Sequence, residues 1–111
     1  MKKVIVITLC LLGCGFLQAR AADAKANWEA NCQKCHGADG KGATTMGKKL
    51  GLKDYTDAKV QADIKDDAAI KAIKDGVKDK DGKEVMKGSS GTLSDDEVKA
   101  LLAYIRAFKK S

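Results

Sequence analysis

Cys32-Gln33-Lys34-Cys35-His36 is the stretch on which the reading of this chain turns. Two cysteines three positions apart, followed at once by a histidine, form the pattern of a covalent haem attachment site. On a helical turn that spacing presents both sulfurs to one side, which suits two thioether bonds to adjacent edges of one porphyrin. The next residue then turns its imidazole under the ring, which makes His36 the expected proximal ligand of the iron.

The rest of the chain narrows the competing uses of the motif. It has 111 residues and a formal net charge of +6. Lys2 and Lys3 are followed by an apolar run from Val4 to Ala19, and Ala19-Arg20-Ala21 has the small-residue pattern of a signal-peptidase site. The run is too short and wrongly flanked for a membrane span. Residues 1–21 are therefore expected to be an export signal, cleaved before Ala22, and residues 22–111 the single domain. A second cut is written at Leu11-Leu12-Gly13-Cys14, which resembles a lipobox with a lipidated Cys14. The apolar run continues past Cys14 to the later site, which favours the plain signal.

Processing changes the arithmetic. Residues 1–21 carry Lys2, Lys3 and Arg20 and no acid, so their removal lowers the net charge from +6 to +3. A modest positive charge on a lysine-rich surface suits docking to acidic proteins. With no long basic run and no interleaved aromatics, no nucleic-acid partner is expected. Cys10 and Cys14 leave as well, so Cys32 and Cys35 are the only remaining cysteines and His36 the only histidine. A closed zinc site needs about four ligands and lacks them. A thioredoxin-like pair opens a helix after a strand, whereas this motif closes a helix. Trp28, Tyr55, Tyr104 and Phe108 are the only aromatics left, few for an independent core, and a buried cofactor would supply the missing apolar volume.

Apolar periodicity predicts an all-α domain of about four short helices, with no convincing strand. Ala24, Trp28, Cys32 and Cys35 share one face of a first helix over 22–36, with Asp23 at its start and Gly37 at its end. A loop over 37–55 follows. Thr56 or Asp57 caps a short helix with Val60 and Ile64 inward. Asp66 or Asp67 caps another in which Ile70, Ile73 and Val77 align, ending near Gly76. Residues 77–93 read as irregular. Ser94 and Glu97 form a capping box for the last helix, whose inner face is Val98, Leu101, Leu102 and Ile105, extended by Phe108.

The second axial ligand decides what the iron does. With no other histidine, the candidates are Met46 and Met86. Met86 is favoured, because its loop lies between the third and last helices, where the backbone can swing a side chain across the ring. Met46 is only ten residues beyond His36.

The sequence resembles the class I c-type cytochromes, the small monohaem bacterial kind. The resemblance rests on Cys32-Gln33-Lys34-Cys35-His36-Gly37, Ala38-Asp39-Gly40-Lys41-Gly42, Ile73-Lys74-Asp75-Gly76, Met86, and Leu93-Ser94 through Tyr104-Ile105-Arg106. It implies first and last helices that cross with Trp28 against Leu101 and Tyr104. It also implies axial ligation by His36 and Met86 and an exposed haem edge. Many relatives carry proline after the axial methionine, where this chain has Lys87, which points to a looser loop and a more labile iron–sulfur bond.

The expected function is a periplasmic or otherwise exported electron carrier, not an enzyme. It would shuttle single electrons between redox proteins (an oxidase, reductase or dehydrogenase) that dock at the haem edge, within reach of Lys34, Lys41, Lys48, Lys49, Lys83 and Lys87. A neutral thioether opposite His36 should favour ferrous iron. The alternatives are a haem-based sensor or weak peroxidase with a labile sixth ligand, and a haem subunit of a larger enzyme. The lack of a distal histidine or arginine near Met86 counts against peroxide activation. Contact with a membrane is expected only through partners or a lipid on Cys14.

Overall fold

The computed structural model describes residues 14–110, with side chains from Asp23 onward. Most of the expected signal segment, and the side chain of Cys14, lie outside that description. Six helices and one small hairpin follow in order. These are α1 (Cys14–Asn31), α2 (Gln33–His36), α3 (Thr45–Leu50), α4 (Ala58–Asp63), α5 (Asp66–Asp75), β1 (Val77–Lys78), β2 (Glu84–Met86) and α6 (Asp95–Arg106).

The expected first helix is interrupted at Cys32, so α1 and α2 are separate pieces. Its other end also differs, since the chain is already helical at Cys14, the first described residue, and Asp23 lies within α1. The loop over 37–55 holds an unforeseen short helix, α3. Thr44 caps it by accepting a hydrogen bond from Gly47 N–H. Asp57 caps α4 through Lys59 N–H, as one of the two expected alternatives. Neither Asp66 nor Asp67 caps α5. Lys65 holds that position without a side-chain bond, and both acids fall in the first turn, where they complement the helix dipole.

The expectation of no strand fails at 77–86. Val77 pairs with Met86 and Lys78 with Glu84 in an antiparallel ladder, and the slip between these pairs marks a bulge. Asp79 builds the turn, its carboxylate accepting from the backbone N–H of Asp81 and Lys83, both at 2.9 Å. Val77 consequently leaves the helical stripe to which its spacing assigned it and is exposed.

The predicted crossing of first and last helices is present. Trp28 and Leu101 are each 1% exposed and share a core with Ile73, Leu93, Val98 and Ile105. Tyr104 lies 5.7 Å and Phe108 5.1 Å from the Trp28 ring, centre to centre. The buried Gln61 ties the middle of the chain to α6. Its amide donates to the carbonyls of Tyr55 (2.7 Å) and Ile105 (2.8 Å) and accepts from Arg106 at 3.1 Å. Arg106 also donates to Ile64 O and to Asp66.

At the start of α6 the capping box is complete: Glu97 accepts from Ser94 N–H at 3.0 Å and Ser94 Oγ accepts from Glu97 N–H at 3.2 Å. The Ser94 backbone bond, followed by one from Asn27, holds the Glu97 carboxyl below its usual range. A group whose pKa is depressed by folding stabilises the fold above its unfolded pKa and ceases to as pH falls through the folded value. Glutamine can make the same capping bonds but does not titrate. Glu97→Gln is therefore expected to lower stability modestly at neutral pH and to flatten its decline below about pH 4.5. Denaturant unfolding at pH 7 and pH 3.5 checks this, and parallel pH dependences would count against it.

Candidate functional site

The site is built where α1 breaks. Cys32 N–H still donates to Trp28 O at 2.8 Å, and Cys32 O then accepts from the N–H of Cys35 (3.2 Å) and of His36 (3.0 Å). Cys32 is thus the last link of one helix and the N-cap of the next, and Cys35 follows it by one turn. Both cysteines are half-buried free thiols. Before any thioether forms, burial, and then the neighbouring Cys35, push the Cys32 thiol up to about 11.

His36 is fixed from three directions. Trp28 Nε1 donates to Gly37 O at 3.0 Å, pinning the turn just beyond it. His36 O accepts from Gly42 N–H at 2.8 Å, closing the following loop. Thr44 Oγ1 donates to Cys35 O, so the residue that caps α3 also steadies the carbonyl preceding His36. The imidazole packs against two aromatic rings that also meet each other. Tyr55 stacks on it at 5.3 Å with planes 20° apart, and Trp28 is tilted at 5.5 Å.

Burial lowers the His36 pKa, so the ring is neutral and retains a lone pair. Its Nδ1 is the one buried side-chain polar atom among the described residues that has no hydrogen-bond partner. Such an orphan normally costs about 1–3 kcal/mol, and a metal ligand is one of the roles that accounts for it. Two unjoined thiols one turn apart beside a neutral imidazole fit a covalently held haem. They do not fit a bare ion, for among the described residues no group of three or more His, Cys, Asp or Glu could hold one.

The two methionines part company. Met46 sits on α3 and is 42% exposed. Met86 ends β2, is half-buried, and packs on the same core cluster as Cys32 and Tyr55. The structure therefore gathers Cys32, Cys35 and His36 on one turn and packs Met86 against the same core cluster as Cys32. Sequence reasoning missed Tyr55, Thr44 and Gln61. Thr44 offered a signal, an N-cap residue three positions before Gly47, while Tyr55 was only a lone aromatic in a polar loop.

No curated protein matches the chain. Among solved structures, the KustC0563 c-type cytochrome is 35% identical with a TM-score of 0.69, the match covering 79% of this chain and 99% of that one. A tyrosine-to-phenylalanine mutant of Kustc0563 is 34% identical with a TM-score of 0.66, covering 78% and 99%. The family model described as cytochrome c matches residues 21–109, from the helix that leads into Cys32 to the end of the α6 segment. Sequence pattern and fold agree, and the chain belongs to the cytochrome c family as a small class I-type c-type cytochrome with covalently bound haem c.

Proposed function

We propose that the chain is an exported monohaem electron carrier in which Cys32 and Cys35 form the two thioethers, His36 is the proximal iron ligand and Met86 the distal one. The observation that carries this reading is the His36 imidazole: buried, neutral, its Nδ1 without a partner, and one residue from a free thiol. Haem, when bound, supplies a single-electron couple between ferrous and ferric iron. The chain's own residues do the rest. Trp28 and Tyr55 hold the imidazole plane, the turn at Gly37 is pinned to Trp28, and the core cluster keeps water from the ring.

This reading gives the chain no substrate to turn over, and electrons pass to redox proteins docked at the exposed haem edge. Lys34, Lys41, Lys48, Lys49, Lys83 and Lys87 are all exposed, which supports a docking surface for acidic partners whose attraction weakens with salt. The signal-like pattern over residues 1–21 supports a periplasmic or otherwise exported carrier. No helix among the described residues is long and apolar enough to cross a membrane.

Spectra of the oxidised holoprotein test the ligand assignment. Met86→Ala is expected to abolish the far-red band of ferric iron–sulfur ligation, and Met46→Ala to leave it intact. The reverse would reassign the ligand to Met46. Carbon monoxide should bind the reduced parent protein slowly at neutral pH; rapid binding would favour the sensor or weak-peroxidase reading.

A further inference from the structure

The last turn of a helix leaves carbonyls without partners inside it. In α5 these are satisfied by the segment that follows Met86. Ser89 donates twice to Ile73 O, from its N–H at 2.9 Å and from Oγ at 2.8 Å. Ser90 N–H donates to Lys74 O at 3.1 Å. The two backbones approach so closely that neither crossing residue has room for a side chain. At Gly76, where φ is +81°, a Cβ would collide with Met86 O and lie 2.7 Å from Gly88 N. At Gly88 it would lie 2.6 Å from Lys74 O and 2.7 Å from Asp75 C. Every one of those obstacles is backbone, which cannot swing aside as a side chain can.

Met86 is therefore gripped from both sides. Before it, the hairpin sets it opposite Val77; after it, the seam joins Gly88 and Ser89 to the end of α5. The anchor is itself firm. Ile73 is in the core with Trp28, and Lys74 pairs with Asp95 at the start of α6 at 2.6 Å. The chain contains no proline, so no ring stiffens the residues after Met86 from within.

We propose that the Gly76–Gly88 contact and the double hydrogen bond from Ser89 to Ile73 O form the positioning device that keeps the Met86 thioether on the iron. Gly76, Gly88 and Ser89 are positioning residues that act through Met86. This rests on the reading of Met86 as the distal ligand. It also replaces the expectation, drawn from Lys87, that the loop is loose.

The test compares five holoprotein variants, Met86→Ala among them, by two readouts, the far-red ferric band and the rate at which carbon monoxide binds the reduced form. Gly76→Ala is expected to lose the band. Ser89→Ala is expected to keep part of it and to bind carbon monoxide about fivefold to tenfold faster, the factor of one net hydrogen bond. Ser89→Thr, which retains the hydroxyl, should restore the parent rate. Gly91→Ala, whose Cβ meets open space, should match the parent in both readouts. Since Ser89→Ala removes only one of the two bonds to Ile73 O, it provides a folded variant even if Gly76→Ala does not. If Ser89→Ala and Gly76→Ala match Gly91→Ala while Met86→Ala abolishes the band, the seam is overturned and the ligand reading stands. If Met86→Ala keeps the band, both fall.

Discussion

Trp28→Ala is expected to lower the melting temperature of the holoprotein by about 12–40 °C, through loss of roughly 3–5 kcal/mol. Trp28 is 1% exposed and touches every part that matters. Its ring packs on Tyr104 and Phe108 from α6 and beyond, on Tyr55 from the central loop, and on His36. Deleting it opens a cavity at the helix crossing and leaves Gly37 O without its donor. A domain of this size has about 5–13 kcal/mol in total, so the loss is a large fraction of it. Trp28→Phe separates the two effects. It keeps most of the ring contacts and forfeits the bond to Gly37 O, for which about 0.5–1.5 kcal/mol is expected. Calorimetry of the two variants checks the order. A Trp28→Ala protein melting within a few degrees of the parent would show that the crossing does not depend on this residue.

The parts legible in the sequence are those where a single local rule decides. The Ser94–Glu97 capping box, the stripe of Val98, Leu101, Leu102 and Ile105, and the triplet Cys32, Cys35 and His36 each depend on residues within one or two turns. The crossing of α1 with α6 was not local, and it came from family resemblance rather than periodicity. What escaped the sequence depends on partners far along the chain. The strands of the hairpin are two and three residues long, too short for alternation to register, although Asp81-Gly82 between Val77 and Val85 was a usable turn signal. Val77 continued the spacing of Ile70 and Ile73, but the helix had already ended at Gly76.

Asp66 is another instance. It was read as a cap because acids favour helix starts, yet its carboxylate meets Arg106, forty residues away, at 2.6 Å. Tyr55 stacks on His36 only because Gln61 holds its carbonyl and α6 holds Gln61. The proximal site was thus legible as chemistry and illegible as architecture. The distal side was the reverse. Met86 is favoured over Met46 by the place of its loop and by the family resemblance, and its surroundings came into view only when the end of α5 and the Gly88-Ser89 segment were seen to share hydrogen bonds.

The larger effect is expected from removing the covalent haem altogether. In Cys32→Ala/Cys35→Ala no thioether can form, and the polypeptide is expected to lose most of its helical signal at 25 °C. Among the described residues only eight apolar side chains are buried, six of them in one cluster, whereas Cys32, Tyr55, Ile70, Met86, Tyr104 and Phe108 are merely half-buried against it. Apolar burial contributes about 25 cal/mol per Å², so half-covered side chains contribute little until a large apolar ring covers them. Fixing each residue meanwhile costs about 1–2 kcal/mol of backbone entropy. His36 adds to the imbalance, because its buried Nδ1 finds no hydrogen-bond partner in the polypeptide. Folding and haem binding are then one linked equilibrium, as for small metal domains. Circular dichroism of the double variant should show a largely unfolded chain that gains helix when free haem is added, since both proposed ligands, His36 and Met86, are retained. A cooperative thermal transition in the haem-free variant, at a temperature close to that of the holoprotein, would refute the linkage. The single variants discriminate further. With one thioether retained, haem stays tethered and the effective concentration of the ring at His36 stays high, so each single variant should keep the native spectrum and lose stability to a much smaller extent than the pair.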